Sequence, residues 1–134
     1  MADILVDSNV ILDIVTEDPK WYDWSAGELE DLAESHTLVI NPIIYSEVSI
    51  GFGRIEDLDR ALPREFFRRD PLPWEAGFLA GKCFVKYRHL GGERHSPLPD
   101  FYIGAHAAIV GIALLTRDTK RYKIYFPKLA LISP

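Results

Sequence analysis

An α/β three-layer domain with a central, mainly parallel sheet flanked by helices is the fold class this sequence predicts, and three observations carry that expectation. Short, continuously apolar runs (Ile4-Leu5-Val6, Leu38-Val39-Ile40 and Ile112 to Leu115) alternate with longer segments of helical periodicity. Helix-starting chemistry follows directly on two of those runs, Asp7-Ser8-Asn9 after the first and Asn41-Pro42 after the second. No repeat, low-complexity tract or convincing linker interrupts the pattern, so residues 1–134 are expected to form one domain.

Each element can be justified in order. Ile4 to Val6 reads as a strand buried on both faces, and the oxygens of Asp7-Ser8-Asn9 can cap a helix carrying Val10, Ile11, Leu12 and Ile14. Asp18-Pro19 breaks that helix, and a second is expected from about Trp21 to Glu34. After the strand Leu38 to Ile40, Asn41 caps a third helix with Pro42 in its first turn. This helix runs through Glu47 to about Phe52, and a short fourth helix covers Ile55 to Leu62. Arg64 to Leu72 is expected to be extended, with Phe66 and Phe67 at least partly buried; a fifth helix spans about Pro73 to Arg88. Gly91-Gly92-Glu93-Arg94-His95-Ser96-Pro97 is the clearest loop. Pro99 then opens a helix, Ile112 to Leu115 forms a strand, a helical turn covers Thr119 to Tyr125, and Leu129 to Ile132 closes the sheet.

Composition narrows the function classes. The chain is 48% hydrophobic and 26% charged, as in ordinary globular proteins, and no apolar run approaches the roughly 20 residues of a membrane-spanning helix. The start lacks a signal-peptide pattern, and the single Cys83 excludes an internal disulfide, so a reducing cytoplasm is the expected location. Cys83 itself reads as a small core residue. Four histidines show no paired metal-ligand spacing, and neither phosphate-cradling glycine motifs nor Gly-x-Ser-x-Gly occurs. The formal net charge of −5 argues only weakly against a nucleic-acid partner, because a site's potential is local. Arg64, Arg68 and Arg69 form one basic cluster, and Arg117, Lys120, Arg121 and Lys123 form another. Either can be a solvated face. Within the second, Arg117, Lys120 and Arg121 are candidate phosphate contacts because they adjoin Asp118.

Four carboxylates resist explanation as packing. Asp7 ends the first apolar run, where it doubles as a helix cap; Asn9 beside it suggests that the whole turn faces a site. Glu47 has Ile43, Ile44, Ile50 and Gly51 as its helical neighbours, an apolar stripe on which a lone carboxylate is costly. Asp100 gains from the helix dipole in its first turn, but Ile103, Gly104 and Ala107 on the same face would hold it inward. Asp118 follows the last long apolar run, and Thr116 offers a hydroxyl from the same side. Asp7 and Asp118 should share the carboxyl edge of a parallel sheet, where ligands collect. If the four converge, their repulsion raises their pKa values unless hard divalent cations share the pocket.

At Ile4-Leu5-Val6-Asp7-Ser8-Asn9-Val10, Tyr45-Ser46-Glu47-Val48, Leu98-Pro99-Asp100-Phe101-Tyr102-Ile103-Gly104-Ala105-His106-Ala107 and Leu114-Leu115-Thr116-Arg117-Asp118-Thr119-Lys120-Arg121-Tyr122, the chain resembles the PIN domain superfamily. Within it the chain resembles the VapC-type toxins of toxin–antitoxin pairs. The resemblance implies an Mg²⁺- or Mn²⁺-dependent endoribonuclease, with Asp7, Glu47, Asp100 and Asp118 as metal-binding and catalytic acids and Ser8, Asn9 and Thr116 as supporting polar groups. It also implies a VapB-type antitoxin that blocks the site, RNA as substrate, and a homodimer. Ile50, Phe52, Ile55 and Leu58 form an apolar patch on which an antitoxin could grip, or part of the core. Two alternatives stand beside this reading: a catalytically silent PIN-fold binding module, and an aspartate-nucleophile phosphatase. The phosphatase usually wants a second Asp where this chain has Asn9.

Overall fold

The computed structural model describes residues 2–134. Among them the chain runs β1 (Ala2–Val6), α1 (Ser8–Val15), α2 (Tyr22–Ala33), β2 (His36–Ile40), α3 (Pro42–Ser49), α4 (Ile55–Ala61), β3 (Phe67–Arg69), α5 (Trp74–His89), α6 (Pro99–Val110), β4 (Ala113–Leu115), α7 (Lys120–Tyr125) and β5 (Leu131–Ile132). The strands lie in the order β3-β2-β1-β4-β5, and all four pairings are parallel. Ile4 stands opposite Leu38 of β2 and Ala113 of β4, which makes β1 the centre of the sheet. Ile4, Leu5 and Val6 are all buried, so both faces of β1 are covered and the sheet is the middle of three layers.

Local chemistry sets the element ends. Asn41 accepts the Ile44 N–H at 2.9 Å and caps α3, with Pro42 in the first turn. Gly111 adopts φ 73°, a left-handed conformation that closes α6 and turns the chain into β4. Gly104 is required for a different reason: a Cβ there would run into the Phe126 ring, so a glycine lets the chain after α7 press against α6. That contact brings the first turn of α6 and the side chains of α7 to the same end of the sheet.

Several expectations shift by small, explicable amounts. The third helix stops at Ser49 rather than near Phe52, and Gly51 and Gly53 lie beyond its end. The extended stretch contains a three-residue strand, in which Phe67 is buried while Phe66 remains 40% exposed. Cys83 is buried on α5, where burial pushes its thiol pKa up. Trp74, at the start of α5, is 93% exposed. Leu58 belongs to the core, whereas Ile50 and Ile55 are exposed.

Candidate active site

The chain order reverses beside β1: β2 and β3 extend the sheet one way, β4 and β5 the other. The crevice past the carboxyl ends of β1 and β4 is therefore the switch point where an open α/β sheet offers a binding site. Asp7 lies there, its N–H donating to the Leu115 carbonyl at 2.9 Å as the last link between the strands. The residue is 2% exposed. Oδ1 accepts the Ser8 N–H at 2.7 Å, the helix-cap contact, while Oδ2 accepts the Thr116 hydroxyl at 2.9 Å and the Tyr122 hydroxyl at 2.8 Å. Capping and site-building are thus one arrangement, each using a different oxygen.

The other acids reach this centre through shared donors. Ser8 Oγ donates to Glu47 Oε1 at 2.8 Å and sits 3.4 Å from Asp7 Oδ1, so it bridges β1's end to α3. The Tyr122 hydroxyl lies 3.4 Å from Asp100 Oδ1, between Asp7 and α6. Asn9 ties down the turn after β4: its amide donates to Thr116 Oγ1 and its carbonyl oxygen accepts the Arg117 N–H, both at 3.2 Å. Asp118 stands at the exposed rim; its backbone N–H donates to Thr116 Oγ1 at 3.2 Å, and its carboxylate receives the Lys120 N–H at 3.4 Å.

The charges follow from this geometry. Burial, above all, lifts the Asp7 pKa to about 6; the Tyr122 and Thr116 hydroxyls pull it down, and the charges of Asp100 and Glu47 add to the rise. Glu47 is also raised, chiefly by burial and further by Asp100, against the lowering contact from Ser8. Tyr122 is held far above its ordinary value by burial and by the Asp7 and Asp100 charges, so it remains a hydroxyl donor. Asp118 is absent from the influences on Asp7 and Glu47. The structure therefore draws Asp7, Glu47 and Asp100 together, and the Asp118 backbone joins them through Thr116, which accepts its N–H and donates to Asp7 Oδ2.

The basic residues divide sharply. Arg117 is committed elsewhere: Nε and Nη2 each donate to Asp13 at 2.9 Å, and the guanidinium lies 5.5 Å from the Trp21 ring centroid. A bidentate pair with a buried acid holds that side chain away from phosphate service. Arg121 Nη1 donates to Asp100 Oδ2 at 3.1 Å, and Lys120 is exposed. The sequence alone marks neither Tyr122 nor Asp13 for a role. Nothing in a sequence distinguishes a tyrosine needed for its hydroxyl from one needed for its ring. Asp13 was more legible, as the one acid among the apolar residues of α1.

Among the described residues no three His, Cys, Asp or Glu side chains stand as a ready-made ion cage. The donor set nonetheless fits a hard divalent cation. Three carboxylates and two hydroxyls supply only oxygen, and the raised Asp7 and Glu47 mark negative charge lacking compensation. Burial is the main cause of both rises and the neighbouring carboxylates add to it, so a cation held by these acids would lower both pKa values.

Fold and pocket together define a parallel α/β domain with an acidic, hydroxyl-lined site at the carboxyl edge of a 3-2-1-4-5 sheet. Residues 4–127 match the PIN domain family, and the chain belongs to that family. Its fold is similar to that of VapBC2 from Rickettsia felis bound to a promoter DNA fragment, with TM-score 0.74 and 20% identity over 98% of each chain. VapBC-1 from nontypeable Haemophilus influenzae has TM-score 0.71 and 21% identity, covering 98% of this chain and 97% of that one. A toxin–antitoxin complex from Klebsiella pneumoniae has TM-score 0.70 and 19% identity, covering 96% and 95%. At such identities the likeness is one of fold. No curated protein matches the chain.

Proposed function

We propose that the chain is a divalent-metal-dependent endoribonuclease, the VapC-type toxin of a type II toxin–antitoxin pair. One observation carries the reading: Asp7 is buried beside Asp100 and Glu47, bonded only to uncharged donors, and its pKa is raised to about 6. Asp7, Glu47, Asp100 and Asp118 would hold Mg²⁺ or Mn²⁺. Such a cation supplies Lewis-acid stabilisation of phosphoryl oxygens and makes bound water a better nucleophile.

The remaining roles belong to the chain. Thr116, Tyr122 and the Ser8 N–H lock the orientation of the Asp7 carboxylate, while Ser8 Oγ does the same for Glu47. Asn9 keeps Thr116 in place through two bonds to the turn that carries it. Lys120 and Arg121, both exposed, would meet RNA phosphates electrostatically.

The toxin–antitoxin complexes among its structural neighbours support a VapB-type antitoxin as partner. Two apolar surfaces are open to it: the exposed Ile50 and Ile55, and a groove of about 410 Å³ between α1, α2 and α4 lined by Ile11, Val15, Ala26 and Phe66. Exposed Trp74 and Phe78, one turn apart on α5, support a homodimer. No helix among the described residues is long and apolar enough to cross a membrane.

The test is RNA cleavage with Mg²⁺ or Mn²⁺, with and without chelator, in wild type, Asp7→Asn and Asp100→Asn. Metal-dependent cleavage lost in both variants, with folding retained, is the expected result; full activity in chelator or in the variants would overturn the reading. A catalytically silent binding module is the second reading, favoured by the partly exposed Arg121–Asp100 pair at the pocket's edge. It requires tight partner binding with no cleavage at any metal concentration.

A further inference from the structure

Two consecutive residues of α7 occupy the acids from one side. Arg121 Nη1 donates to Asp100 Oδ2 at 3.1 Å; the Tyr122 hydroxyl donates to Asp7 Oδ2 at 2.8 Å and lies 3.4 Å from Asp100 Oδ1. Both oxygens of Asp100 therefore face α7. We propose that Arg121 is the resident counter-ion of this pocket: it holds Asp100 until a divalent cation enters, and its departure is a cost that weakens metal binding. The inference rests on the metal-dependent reading above and deepens it by naming what sets the affinity.

The chemistry of the two side chains makes them unequal. A guanidinium has five donors, no acceptor and a permanent positive charge, so it can substitute for a cation but never ligate one. The Tyr122 hydroxyl, by contrast, is neutral and can stay beside an occupied site. Arg121 also has somewhere to go. Its side chain is 44% exposed and, with Tyr87, Asp118, Lys120 and Tyr125, lines an open cavity of about 260 Å³. Arg117, four residues earlier, has no such freedom, since Asp13 grips it with two bonds. One arginine is a permanent fixture and the other an exchangeable one. An ion pair with a partly exposed acid, 30% in Asp100, is weak enough to be displaced and strong enough to be felt.

The test is calorimetric titration of Mn²⁺ into wild type, Arg121→Ala, Lys120→Ala and Asp7→Asn. Arg121→Ala should bind Mn²⁺ about fivefold more tightly than wild type, the scale of one partly exposed ion pair. Lys120→Ala removes the same formal charge next door without touching Asp100, and should change affinity by less than about twofold. Asp7→Asn should bind far more weakly than wild type. Equal or weaker binding by Arg121→Ala, while wild type binds and Asp7→Asn does not, would overturn the role of Arg121 and leave the metal site standing. An equal gain in Lys120→Ala would also overturn it, because general electrostatics would then account for the effect. No Mn²⁺ binding by wild type or Arg121→Ala would remove the metal site and this role with it.

Discussion

Asp7 and Asp13 lie six residues apart, are each 2% exposed, and are treated in opposite ways. Asp13 receives the Arg117 guanidinium through two bonds of 2.9 Å and the Ser25 hydroxyl at 2.7 Å, a complete set of partners that pins α1, α2 and the turn after β4 together. Asp7 receives one N–H and two hydroxyls, all neutral, with two further carboxylates as its charged neighbours. Among the described residues no cation touches it. A buried acid with its own arginine is structural, because the charge it needs is part of the chain. A buried acid supplied only with neutral donors awaits a charge from outside. Burial alone therefore does not distinguish function from architecture; the sign of the neighbours does.

The sharpest way to break this contrast is to neutralise Asp7. Asp7→Asn should lower RNA cleavage by at least about a thousandfold, the scale of losing an essential electrostatic group. The same substitution should raise the melting temperature of the metal-free protein by several degrees at pH 7. Asparagine fits the site, since the Thr116 and Tyr122 hydroxyls can accept from its amide as readily as they donate to the carboxylate. Loss of activity combined with gain of stability is what an acid kept for function predicts. A fall in stability would place Asp7 in the same category as Asp13. Asp13→Ala should do the reverse: it leaves Arg117 without its partner and costs about 3 kcal/mol in urea unfolding, with cleavage per folded molecule largely kept.

These two aspartates also mark how far the sequence could be read. Asp7 was legible because it follows Ile4-Leu5-Val6, and Asn9 beside it adds a second polar group to a turn that a helix cap alone would explain. The sheet was legible for a related reason: strands buried on both faces are continuously apolar, and their alternation with helices is typical of a parallel sheet. Asp100 and Glu47 were visible as acids on apolar stripes. The roles of Tyr122, Arg121 and Arg117 were not. Each depends on which long side chain crosses from the β4–α7 region to which acid, a choice made by packing between segments some 20 or 100 residues apart. Arg117 and Arg121 look alike in sequence, and the structure gives one a buried aspartate and the other the partly exposed Asp100 of the site.

Titration offers a finer test of the same contrast. Asp7 is raised to about 6 from an ordinary 3.8, so between those values the folded protein binds more protons than the unfolded chain. Stability of the metal-free protein then falls as pH rises through this window, by about 3 kcal/mol in total from this group. His106 acts in the opposite sense: burial lowers its pKa below 6.5, so the unfolded chain takes up the extra proton and acid destabilises the fold. The two contributions oppose each other in wild type. Subtracting the stability of Asp7→Asn isolates the carboxylate, and the difference should grow in favour of the variant from about pH 4 to pH 6. A difference independent of pH would show that Asp7 is not carrying an uncompensated charge.

The smallest effect concerns a third buried polar pair, neutral on both sides. Asn41 caps α3 through Oδ1, which leaves its Nδ2 facing His106 Nδ1 at 2.9 Å. Since the amide can only donate there, His106 must carry its proton on Nε2. The pair joins the start of the Glu47 helix to the middle of the Asp100 helix, so it sets the spacing of two acids without touching either. Asn41→Ala removes the cap and leaves His106 Nδ1 without its donor, which together should cost about 2 kcal/mol. Asn41→Asp would keep the cap but oppose an acceptor to His106 Nδ1. The histidine can restore the bond by moving its proton, so Asn41→Asp should lose less stability than Asn41→Ala and raise the His106 pKa, measurable by NMR titration. If the two variants lose equal stability and His106 titrates unchanged, the bond contributes nothing beyond the cap, and the helices of Glu47 and Asp100 are spaced by apolar packing alone.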